Sequence, residues 1–95
     1  MEVSHTKHWK IGGLDLAKED VKMVSNNERE IPQVLLEQIH GVTADVITFV
    51  RSHLGDLFLE GHLRYLSEAF INAVMHGNQN NCAEVVAIDV RVSSN

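Results

Sequence analysis

The chain has 95 residues, a length that suits one small domain. It is 44% apolar and 22% charged, which places it among globular chains and away from disordered ones. Its net charge of −5, with no compensating Lys/Arg cluster, argues against a broad nucleic-acid footprint, and its apolar runs are far too short for a membrane-spanning helix. The N-terminus Met1-Glu2-Val3-Ser4-His5 has neither the basic flank nor the apolar segment of a secretory signal. A lone cysteine, Cys82, has no internal disulfide partner, which suits a reducing cytoplasm, and its polar turn offers nothing to activate it as a nucleophile.

Residues 1–30 read as an N-terminal arm with a pair of short strands. Trp9-Lys10-Ile11 runs into Gly12-Gly13, Leu14-Asp15-Leu16 alternates, Val21-Lys22-Met23-Val24 alternates weakly, and Ser25-Asn26-Asn27 is a polar turn. His5 and His8 lack further metal ligands nearby and belong to a solvated arm. Without a strand before it and a helix after it, Gly12-Gly13 reads as a turn, not a phosphate loop.

Residues 31–95 carry the clearer elements. Pro32 suits the first turn of a short helix, and Val34, Leu35, Leu36 and Ile39 suit either that helix or a buried strand ending at Gly41, the helix being preferred because Leu, Glu and Gln are good helix formers. A second helix is predicted over 43–54, with Thr43 as its N-cap and Val42 stapled onto Ile47. Val46, Ile47, Val50 and Leu54 form its apolar face. Asp45 falls in its first turn, Arg51 and His53 in its last, and Gly55 closes it in the left-handed conformation. The connector 55–61 has an apolar middle that packs down between helices. After the helix at 62–76, Gly77 is the stop and Asn78-Gln79-Asn80-Asn81 a turn. Val86, Ile88, Val90 and Val92 then alternate with Asp89, Arg91 and Ser93 in the best strand, 84–93. The expected class is α+β, with helices layered on one face of a mixed β-sheet.

The helix around 66–77 carries the candidate chemistry. Positions i and i+4 share a helix face, so Glu68 and Asn72 point the same way, with His76 one turn further along the row. Leu63, Leu66, Phe70, Ala73 and Val74 form the opposite stripe, and Ile71 and Met75 widen it. A carboxylate and a carboxamide on so apolar a helix need partners, because burying them unpaired costs several kcal/mol.

The run Leu66-Ser67-Glu68-Ala69-Phe70-Ile71-Asn72-Ala73-Val74-Met75-His76-Gly77-Asn78 resembles the N-box of the GHKL (histidine-kinase-like) ATPase superfamily. Its form, S-E-A-x-x-N-A-x-x-H-G, is most similar to the anti-sigma-factor serine kinases of bacterial partner-switching systems. With the helix at 43–54 and the strand at 84–93, the resemblance covers about half of the chain and the first part of the family's domain. It implies ATP and Mg²⁺ as cofactors. Asn72 would hold the metal through its carbonyl oxygen and Glu68 would orient or deprotonate the attacking hydroxyl, while His76 lies near the nucleotide. The partner it implies is a regulatory protein, a sigma factor or an anti-sigma antagonist.

The chain departs from that family in one respect that matters. An Asp-x-Gly-x-Gly segment for adenine and a second glycine-rich phosphate segment are expected after the strand. All six glycines (Gly12, Gly13, Gly41, Gly55, Gly61 and Gly77) precede it, and Asp89 is not followed by glycine. Positioning of phosphates supplies most of phosphoryl-transfer catalysis. The expected function is therefore an ATP-binding serine-kinase-like regulatory domain, incomplete and without turnover in these 95 residues. The alternative is a non-catalytic interaction or self-associating module of the same fold, its open sheet edge inviting a second copy.

Overall fold

The computed structural model describes residues 3–26, 28–55, 61–77 and 81–94. Strand β1 (Val3–Gly12) leads through a 3-10 turn (Lys18–Asp20) into strands β2 (Met23–Asn26) and β3 (Arg29–Pro32). Helix α1 (Gln33–Leu54) follows, then helix α2 (Gly61–Asn72) with a π-helical turn (Ala73–Gly77), and last strand β4 (Val85–Ser94). The class is α+β. In place of one mixed sheet, the described strands form two antiparallel pairs, β1 with β4 and β2 with β3. The connector at 56–60 and residues 78–80 of the polar turn lie outside the described residues.

β1 is longer than its sequence suggested, because its register with β4 runs unbroken from Val3↔Ser94 to Gly12↔Val85. His5 and His8, expected in a solvated arm, belong to this strand. His5 stacks on the ring of His53 with centroids 4.1 Å apart, and His8 Nδ1 pairs with Asp89 Oδ1 at 2.5 Å. The inner face of the ladder carries Ile11, Ile88 and Val92, all buried, with Trp9, Val86 and Val90 half-buried. The other face shows His8, Lys10, Asp89 and Arg91 to solvent. This is the alternation that a sheet covered on one side requires.

At the end of β1 the chain bends at Gly12, whose φ is +94°. A Cβ there would stand 1.9 Å from the carbonyl oxygen of Glu84, so only glycine allows the approach. The Gly13 and Leu14 N–H groups donate to Glu84 O and Cys82 O, and Gly12 N–H donates to Gln38 Oε1. Gly12-Gly13 is thus the turn it was expected to be, with Cys82 buried in the core beside it.

Ser25 and Asn26, expected in a turn, instead complete β2, which pairs with β3 from Met23↔Pro32 to Asn26↔Arg29. Glu28, in the connection between these strands, has a φ of 65°, a left-handed conformation more usual for Gly or Asn in a tight hairpin.

The two helices expected on either side of Gly41 are one helix of 22 residues. Leu35, Ile39, Val42, Thr43, Val46, Ile47 and Val50 are buried along one unbroken stripe, while Gly41 lies exposed on the outside. Glycine in a helix costs about 1 kcal/mol, and burying each large aliphatic side chain gains about 1.5–3 kcal/mol, so the stripe wins. Thr43 is therefore mid-helix and caps nothing. Its buried hydroxyl donates to the Ile39 carbonyl at 2.7 Å, one turn back. Asp45 is likewise interior, and Pro32, which ends β3, stands just before the helix. Gly55 does terminate α1 at positive φ, but its ψ of −155° is extended, a glycine-only region and not the left-handed helical one.

α1 is the hub of the molecule, touching β1, β3, β4 and α2. Ile11, Ile31, Leu35, Ile39 and Val74 are fully buried around it. α2 presents Phe70, Ile71 and Val74 to this core, largely the stripe its sequence predicted.

Candidate functional site: a guanidinium clamp on α2

Glu68 and Asn72 stand one turn apart on α2, as their spacing dictates, but the face they occupy is not buried. Asn72 is exposed, and the Glu68 side chain is 41% accessible. Phe70 and Ile71 of α2 turn into the core, and Glu68 and Asn72 lie against Arg29 of the β2–β3 hairpin.

The partner they need is Arg29, the first residue of β3. Its Nη1 donates to Asn72 Oδ1 at 2.9 Å, and its Nη2 donates to Glu68 Oε1 in an ion pair. A planar guanidinium presents two N–H groups in a fixed fork, and two oxygens one helical turn apart can accept both. Arg29 thereby ties the hairpin to α2 across about forty residues of chain. Its side chain is 30% accessible, so water screens the pair and its contribution to stability is of the order of 1 kcal/mol or less.

His76 does not share this site. The chain winds as a π-helix from Ala73 to Gly77. His76 is exposed there, and among the described residues no hydrogen bond joins it to Glu68 or Asn72.

These residues do not fit a divalent cation as they stand. The oxygen of Asn72 that a metal would use already accepts from a cation, 2.9 Å away. Among the described residues no group of three or more His, Cys, Asp or Glu gathers to complete a ligand set. Among the described residues, two cavities flank α1. One of about 310 Å³, mostly apolar, lies between the helices and is lined by His40, Thr43, Ala44, Ile47 and Ser67. The other, of about 290 Å³, lies between the loop before β2 and the start of α1. Neither includes Glu68, Asn72 or His76.

Sequence reasoning reached Glu68 and Asn72 but missed Arg29. The only signal available was the demand itself: two polar groups on an apolar helix needed a donor. The chain holds eight Lys and Arg residues, and nothing local pointed to the one in a hairpin 39 residues upstream. Comparison with protein-family models, with curated proteins and with solved structures matches this chain to none of them.

Proposed function

We propose that the chain is the N-box-bearing part of a serine-kinase-like regulatory domain of the GHKL class, which serves a protein partner and does not itself turn over ATP. The observation that carries the reading is the shared aim of Glu68 and Asn72, whose oxygens converge on one cationic group. An arrangement that gathers a carboxylate and a carboxamide around positive charge is the kind an N-box needs. Here the positive charge is the protein's own. Arg29 must leave before Glu68 can act on a hydroxyl or Asn72 can offer its oxygen to anything else. The hold that Arg29 has on both oxygens supports the second half of the reading.

The test is an amide-resolved NMR titration of the full chain with Mg·ATP into the millimolar range. The expected result is a weak response confined to residues around 68–77. Arg29→Ala should strengthen it at least several-fold, and Asn72→Ala should abolish it. If neither the parent chain nor Arg29→Ala shows an Asn72-dependent shift, the nucleotide class is wrong.

A further inference from the structure

The β1–β4 ladder is ten residues long and has two outer edges, which differ in chemistry. The β1 edge carries Lys7 and Lys10, the charged guard that edge strands use against self-pairing. The β4 edge has no lysine, no proline and no break in its register, and among the described residues no strand pairs with it. Its only charges are Asp89 and Arg91, both exposed on the outer face. An unguarded edge of this length is a template for another strand.

We propose that β4 pairs antiparallel with β4 of a second copy, about a two-fold axis at Val90, joining the two ladders into one four-stranded sheet. Charge selects this register. With Val90 opposite Val90 of the partner copy, Asp89 stands opposite Arg91 and Arg91 opposite Asp89. Sliding one step either way while keeping the same faces together sets Asp89 against Asp89 or Arg91 against Arg91, and directly opposed like charges are destabilising. The chosen register also sets Ile88 opposite Val92. The apolar inner face thus runs without interruption from one α1 to the other, and half-buried Val90 gains cover at the centre. On the outer face, the His8–Asp89 pair extends into a row that ends on the second copy's Arg91. The interface is isologous, as a two-fold dimer requires. It is independent of the nucleotide reading above.

The test uses the full chain and two charge reversals, Asp89→Arg and Arg91→Asp, on the solvent-facing side of β4, with circular dichroism confirming that each folds. Light scattering and sedimentation equilibrium over a concentration series should give the parent chain twice its 10.6 kDa mass. Each reversal alone should weaken association about tenfold or more, since it sets like charges face to face twice per dimer. An equimolar mixture of the two variants should recover it, because the doubly basic strand of one then faces the doubly acidic strand of the other. A parent chain that is monomeric at 100 μM or so overturns the proposal. So does a dimer whose mass is indifferent to both reversals, or a mixture no tighter than its components.

Discussion

Arg29 shows how one side chain can settle what two others do. Its fork satisfies Glu68 and Asn72 together, so removing any one of the three disturbs the other two. A double-mutant cycle of Arg29→Ala and Glu68→Ala, read by urea denaturation, should give a coupling of about 0.2–1 kcal/mol, the range for partly exposed pairs. Arg29→Lys should recover little of it, because an ammonium is a point charge and cannot bridge two acceptors with a planar fork. Purely additive losses would mean that the clamp contributes nothing to stability. Thr43 makes a related point. The same hydroxyl that could have capped a helix is equally satisfied by the carbonyl one turn back.

At the scale of the element, α1 was the largest difference from expectation. Gly41, followed by Val42-Thr43, had the form of a stop and a start. Yet the buried stripe from Leu35 to Val50 continues through it, and a helix is held by its buried face more than by its propensities. Gly41 is exposed, and a Cβ added there meets no atom within 4 Å. Gly41→Ala should therefore stabilise the protein by about 1 kcal/mol, raising Tm by about 4–8 °C in a calorimetric scan. If Gly41 were a real break in the helix, the substitution would lower Tm instead. The π-helical turn after Asn72 is the other departure at this scale. The sequence of α2 shows one continuous apolar face, and a change of winding leaves no mark in such a pattern.

The whole molecule is long and thin, 52 × 24 × 18 Å. Its core is small, and stability for a chain of this size is about 5–15 kcal/mol. Ile39→Ala, at a fully buried position on α1, should cost about 2–5 kcal/mol, a large share of that total. Tyr65→Ala, at a residue 75% exposed, should change stability by no more than about 0.5 kcal/mol. Urea midpoints measure both, and comparable losses at the two positions would contradict the core described above. Association through the β4 edge belongs to this scale because it joins two whole ladders. No helix among the described residues is long and apolar enough to cross a membrane.

Alternation along Val86–Val92 and the apolar stripe of α2 determined their elements and their inward faces from sequence alone, because periods of 2 and 3.6 are local properties of the backbone. The same is true of the shared direction of Glu68 and Asn72. What met them was decided only by tertiary structure. The pairing of β1 with β4 joins residues more than seventy positions apart, and the Arg29 clamp spans about forty. Neither contact has a periodicity to betray it. Each depends on how α1 seats the hairpin and the ladder around a common core, and that arrangement is a balance of packing over the whole chain.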